Sequence, residues 1–340
     1  MKQVHGGNVF GMGEILDMSA NINPLGLPER VREAVISSSS EWEKYPDPFC
    51  TELCKKLAEK LGISAENIVC GNGAADLIYR LVHEFKPKKA VILAPTFGEY
   101  PKALAEVGCD ISRFYLSEAD GFEVDDGFAE MLDSTVNMAI ICSPNNPSGR
   151  LIRPQVLERI AEKCAELDII LVVDECFSGF AENAVNWRKT GNYIVLGAFT
   201  KLYAMAGLRL GYAVCGCNET AEKLRNSGQF WSVSAPAQAA GITALDEDEY
   251  VRKTVRLIAC ERRYIAEKLT ALGMKVYPSD ANYLLFKGEA GLDDSLLREG
   301  ILIRNCGDYV GLSEGFYRTA VRTNAENQWF IEAVRRCVNG

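Results

Sequence analysis

A chain of 340 residues with 48% hydrophobic side chains can bury a large core and has the length of about two ordinary domains. Its 37 lysines and arginines against 46 aspartates and glutamates give a formal net charge of −9 with no block of like charge, which argues against a nucleic-acid footprint or an anionic-membrane partner. An anionic ligand must then be held by a local cluster of cations.

The first segment, MKQVHGGNVFGMGEILDMSANINP, has no apolar run long enough for a signal sequence, and no later stretch approaches about 18 consecutive apolar residues, so a cytoplasmic protein is expected. Gly6, Gly7, Gly11, Gly13, Pro24, Gly26 and Pro28 make the first forty residues an irregular arm. A short helix is predicted over VREAVISS, ended by the serine run Ser37 to Ser40. The twelve cysteines include a Cx3C at Cys50 and Cys54 and a CxC at Cys215 and Cys217, without paired CxxC motifs and with only His5 and His83 as histidine partners. Reduced thiols, mostly in the core, and no metal site are expected.

From about Asn67 to Val214, short β-branched runs alternate with helical stretches; the strands are read at NIVCGNG, AVILAPT, DISRFYL, MAIICSP, DIILVVDE, YIVLGAF and LRLGYAVC. This alternation predicts an α/β fold with a mostly parallel sheet covered by helices on both faces and a ligand beyond the strands' carboxyl ends. After Ser234 a long charged helix is predicted from Ala235 to Leu272. Strands at KVYPSDANYLLFKG, ILIRNC and FYRTAVRT and a final helix near Ala325 to Val338 complete a smaller α/β domain. The expected division is an arm with part of the small domain over 1–40, a large domain over 41–234 and the small C-terminal domain over 235–340.

Asp174 ends the apolar run of VVDE, where an unpaired carboxylate is costly, so it needs a cationic partner such as a protonated pyridine nitrogen. Lys201 follows the apolar strand YIVLGAF, and a lysine so placed titrates low enough to act as an amine. SPNNPSG, Ser143 to Gly149, is a loop of turn residues in which Asn146 can donate a hydrogen bond. GNGAAD, Gly71 to Asp76, joins a strand to a helix, so the backbone N–H groups following Gly73, those of Ala74 and Ala75, can cradle a phosphate. It is not a dinucleotide fingerprint, because Asp76 stands where a third glycine is required. Thr200 and Arg209 offer a hydroxyl and a cation to the same phosphate. Taken singly, each of these residues has an ordinary reading as a turn, cap or surface residue. Their joint occurrence carries the argument.

The set GNGAAD, SPNNPSG, DECF, TK…GLRLGY and YRTAVR, in this order over nearly the whole chain, resembles fold-type I pyridoxal-phosphate (PLP) enzymes of the aspartate aminotransferase superfamily. Within it the chain is similar to the branch of histidinol-phosphate aminotransferases and threonine-phosphate decarboxylases. The resemblance implies a large PLP-binding domain, with Lys201 as the Schiff-base lysine, Asp174 as the pyridinium partner and Asn146 as donor to the cofactor's phenolic oxygen. Thr200 and Arg209 would bind the cofactor phosphate and Arg318 the substrate carboxylate. Tyr45, in KYPDP, would reach the neighbouring subunit's cofactor phosphate, which implies a homodimer with shared sites.

HGGN at His5 to Asn8, SANINPLG at Ser19 to Gly26 and LIRNC at Leu302 to Cys306 pull the resemblance toward the decarboxylases. Arg304 and Arg318 would then form the anionic-substrate cluster, with His5 and Asn21 near a substrate phosphate. The implied reaction is decarboxylation of a small anionic amino acid, O-phospho-L-threonine, to 1-aminopropan-2-yl phosphate; the alternative is transamination of histidinol phosphate or a related amino acid. A non-catalytic regulatory domain is a remote third reading, for which the stretch before Tyr45 has no room for a helix-turn-helix module. Three departures stand out: the segment between HGGN and SANINPLG is short, Phe177 occupies a position where many aminotransferases have a tyrosine, and Ala198 replaces a frequent phosphate-binding serine.

Overall fold

The computed structural model describes residues 5–183 and 192–339; the first four residues of the expected arm lie outside the described residues. Strand β1 (Leu16–Asp17) belongs to the arm. The large sheet is built from β2 (Ile68–Gly71), β3 (Lys89–Ala94), β4 (Asp110–Tyr115), β5 (Met138–Cys142), β6 (Ile170–Asp174), β7 (Tyr193–Ala198) and β8 (Gly211–Cys215). Their order is β2-β8-β7-β6-β5-β3-β4, and β8 alone runs against the other six. All seven lie where the sequence placed them.

Central strands read as unbroken apolar runs because both faces are covered. Alternate side chains feed opposite layers: Val91, Ile141 and Val173 pack on one side, Ile92, Ile140 and Val172 on the other. Such strands end abruptly where polar residues begin, so Gly71, Ala94, Cys142, Asp174 and Ala198 line up along one edge of the sheet and the loops that follow them share one space.

The second layer carries β9 (Lys275–Val276), β10 (Tyr283–Lys287), β11 (Ile301–Leu302), β12 (Arg304–Asn305) and β13 (Phe316–Ala320). Four of these form an antiparallel sheet in the order β12-β13-β10-β9, while β11 pairs in parallel with β1 and so ties the arm to this layer. Three expectations need correction. The long helix from Ala235 is two helices, Ala235–Ala244 and Asp248–Ala271, and the second opens with Asp248 and Glu249, acids that favour a helix N-terminus. KVYPSDANYLLFKG splits into β9 and β10 around Pro278, which donates no ladder hydrogen bond. ILIRNC splits between two sheets. The serine run does end the first helix at Ser37, with Ser38 and Ser40 hydroxyls donating back to the Val35 and Ser37 carbonyls. Of the cysteines, eight are buried and none of the twelve is in a disulfide. No described helix is long and apolar enough to cross a membrane, and no metal-holding cluster occurs among the described residues.

One close approach fixes the sheet edge. A Cβ at Gly211 would stand 2.5 Å from the Ala74 nitrogen and 2.6 Å from the Gly73 carbonyl carbon, so β8 touches the start of the helix Ala74–Phe85 only because it has no side chain there. Gly211→Ala is expected to cost about 1–3 kcal/mol of unfolding free energy in denaturant titrations; an unchanged midpoint would contradict this packing.

Candidate active site

Beyond the carboxyl ends of the strands lies a cleft of about 460 Å³. Its floor is Asp174, at the end of β6 and 5% exposed. The carboxylate is held by two donors, the Tyr100 hydroxyl to Oδ2 at 2.7 Å and the Cys176 backbone N–H to Oδ1 at 2.9 Å. Burial, with the Asp174 charge as second cause, pushes the Tyr100 phenol well above its usual range, so it remains a donor.

Lys201 lines the same cleft, on the one-turn helix Phe199–Leu202 that follows β7. Burial, followed by the nearby Arg318 guanidinium, brings its ammonium down to about 8. Arg209 stands beside Gly73, whose φ of +84° and lack of a Cβ leave room for it: a Cβ at Gly73 would meet the guanidinium at 2.5 Å. Ala74 and Ala75 open the helix there, and both line the cleft with Thr200 and Arg209. A helix N-terminus, a hydroxyl and a guanidinium lining one cleft are the donors that a phosphate requires.

Across the cleft, Arg304 and Arg318 are direct partners in the β12–β13 register, both buried. Arg318 donates to Asn146 Oδ1 and, at 2.8 Å, to the Ser19 carbonyl; its Nε has no partner among the described residues. Asn146 therefore keeps its amide nitrogen to donate. Arg304 is clamped by both oxygens of Asp308, at 2.9 and 2.8 Å. Asn21 is buried at the cleft with its Oδ1 unpartnered among the described residues. His5 sits at the same cleft, its Nε2 2.7 Å from Glu99 Oε1. Phe177 packs edge-on against Tyr283, centroids 4.9 Å apart, and Ala198 lines the cleft without a hydroxyl.

Thirteen of the fourteen residues singled out in the sequence thus lie at or beside one cleft, Gly73 through its contact with Arg209. Tyr45 does not: it is 79% exposed and stacks on Trp231 with centroids 4.4 Å apart. Sequence reasoning missed Phe97, Glu99 and Tyr100, which follow β3, and Tyr309. The available signal was the polar and aromatic tail of APTFGEY after a buried strand.

The family model "Aminotransferase class I and II" matches residues 13–334, and the chain belongs to that family. It is a PLP-dependent enzyme. It is 37% identical to a threonine-phosphate decarboxylase of Salmonella typhimurium, over 99% of this chain and 97% of that protein. Its fold superimposes on the histidinol-phosphate aminotransferase of Clostridium acetobutylicum with a TM-score of 0.90, at 29% identity, covering 96% of this chain and 99% of the other. A histidinol-phosphate aminotransferase of Sinorhizobium meliloti, solved in complex with pyridoxal-5'-phosphate, matches with a TM-score of 0.84 at 23% identity, over 94% and 90% of the two chains.

The residues present fit the cofactor. The Gly73 gap and these cleft donors suit its phosphate, a buried carboxylate suits its ring nitrogen, and Lys201 is an amine of lowered basicity.

Two predictions follow from this geometry. In apoprotein, the rate at which added PLP develops its lysine-bound absorbance should rise with pH to a half-maximum near 8, where the Lys201 amine is half deprotonated, and level off above it; a half-maximum near the 10.5 of an ordinary lysine would contradict the assignment. Tyr100→Phe leaves a buried charge short of one donor, and the apoprotein should lose about 1.5–3 kcal/mol of unfolding free energy at unchanged m-value.

Proposed function

We propose that this chain decarboxylates a phosphorylated amino acid, O-phospho-L-threonine first among them, releasing CO2 and 1-aminopropan-2-yl phosphate. The observation that carries the reading is the cation set facing Lys201 and Asp174. In a protein of net charge −9, Arg304, Arg318 and His5 gather at one cleft, beyond the Arg209 that suits the cofactor. A substrate with both a carboxylate and a phosphate matches this set. The full-length similarity to a threonine-phosphate decarboxylase supports it.

Bound PLP supplies an electron sink for the bond broken at the substrate's Cα. The chain decides which bond that is. Arg318 grips the carboxylate with a planar fork fixed by Asn146 and Ser19, and so sets the angle between the Cα–carboxylate bond and the cofactor ring. Only a bond perpendicular to the ring can break into it. Asp174, oriented by the Tyr100 hydroxyl and the Cys176 N–H, would hold the protonated ring nitrogen. With PLP bound, Lys201 would stand in the cleft as an amine able to take up a proton and, as its ammonium, to return one to Cα.

Transamination is the second reading, favoured by the close superposition on a histidinol-phosphate aminotransferase. Incubation of PLP-loaded protein with O-phospho-L-threonine, without any 2-oxo acid, separates the two. Sustained CO2 release over many turnovers is expected. Absence of CO2 with conversion of the cofactor to its pyridoxamine form would transfer the assignment to transamination.

Tyr45, Phe49, Phe230 and Trp231 form an exposed aromatic group. Exposed apolar patches mark interaction surfaces, which supports a homodimer in which Tyr45 serves the neighbour's site. Mixing inactive Tyr45→Ala and Lys201→Ala variants should then restore part of the activity, because one site of each mixed dimer has both residues intact. No recovery after subunit exchange would contradict shared sites.

A further inference from the structure

His5 lines the cleft from the N-terminal arm, and it is held from two directions. Its backbone is pinned at Ser19: a Cβ at Gly6 would lie 2.2 Å from the Ser19 carbonyl oxygen, and the Gly7 N–H donates to Ser19 Oγ at 2.8 Å. The same Ser19 carbonyl accepts from Arg318. The carboxylate fork and the start of the arm therefore share one anchor.

Its ring is held from the large domain by Glu99, only 15% of whose side chain is exposed. Oε1 lies 2.7 Å from His5 Nε2 and accepts from Lys102 Nζ at 2.8 Å, and Oε2 accepts from the Tyr79 hydroxyl at 2.8 Å. These bonds hold the Glu99 carboxyl below its usual range against the opposing effect of burial. The Lys102 ammonium is 3.4 Å from Nε2. The contacts at Nε2 decide where the proton is. A carboxylate at 2.7 Å accepts only, so Nε2 carries the hydrogen of that bond, and one of the three Lys102 N–H donors goes to the same Glu99 oxygen. Nδ1 has no hydrogen-bond partner among the described residues. With Nε2 turned to Glu99, Nδ1 is the ring nitrogen left to meet a ligand in the cleft that His5 lines.

We propose that Glu99, braced by Tyr79, is a positioning residue for phosphate recognition: it turns the His5 ring Nε2-first onto its carboxylate so that Nδ1–H donates to the substrate's phosphate monoester. This rests on the reading of the substrate as a phosphorylated amino acid and assigns part of its selectivity to two side chains that act through His5. The arrangement discriminates because a neutral His5 in this orientation would present a lone pair to the phosphate. Lys102 compensates the Glu99 charge that would otherwise repel the ligand.

The test measures dissociation constants of O-phospho-L-threonine and L-threonine from PLP-loaded protein by cofactor absorbance, for the unmodified chain, Glu99→Gln and Tyr79→Phe, together with 15N spectra of the histidine rings. With only two histidines in the chain, a His83→Gln variant assigns both sets of signals. Glu99→Gln should weaken the phosphorylated ligand about tenfold, the worth of one misdirected charge-assisted hydrogen bond, and leave L-threonine binding unchanged. Tyr79→Phe should shift both readouts in the same direction by less. The His5 ring nitrogens should move while those of His83 stay. If the unmodified protein prefers the phosphorylated ligand and Glu99→Gln prefers it equally, with His5 signals unmoved, the positioning role is overturned and the phosphoamino-acid reading survives. If the unmodified protein shows no preference, both fall together.

Discussion

A carboxylate buried at the end of a central strand constrains everything around it. Asp174 cannot stay charged there unless donors and cations are brought to it, since isolated burial of such a charge is far costlier than the stability of a domain allows. The Tyr100 hydroxyl and the Cys176 N–H supply the permanent donors, and the cleft above it remains open to a cationic ring. Lys201, facing the same space with Arg318 and Arg209 near it, experiences the opposite pressure and gives up basicity. A buried carboxylate and a lysine of lowered basicity lining one cleft are the arrangement that imine chemistry on an amino acid requires.

Sheet direction delivers this arrangement. Six strands run the same way, so the residues that end them emerge together, and reversed β8 starts at that same edge, which leaves Arg209, just before it, against Gly73. The large sheet thus brings Asp174, Lys201, Thr200 and Arg209 to the cleft. The other layer brings Arg304 and Arg318, which sit opposite each other in β12 and β13, and the arm joins that layer through β1.

Much of this was legible in the sequence, for identifiable reasons. The seven large-sheet strands could be read because strands covered on both faces must be continuously apolar, and their polar ends mark the site. Lys201, Asp174, Asn146 and the GNGAAD turn sit at those ends and were found together. Helix limits were less legible: Leu245 to Glu247 interrupts the helical pattern at Asp246 and Glu247 without a glycine or proline to mark it. Contacts between distant segments left no trace at all. Tyr100 reaches Asp174 and Glu99 reaches His5 across separate elements, and neither spacing nor periodicity encodes a hydrogen bond of that kind. Tyr45 illustrates the converse: its residue type and motif were clear, but it lies outside the cleft, exposed and stacked on Trp231.

The most direct measurement of the central claim is chemical. PLP-loaded protein would be reduced with borohydride and digested, and the peptide carrying the phosphopyridoxyl group sequenced. The account predicts a single label on Lys201, within GAFTKLYAMAGLR. A label on any other lysine, or none with cofactor retained, would contradict it.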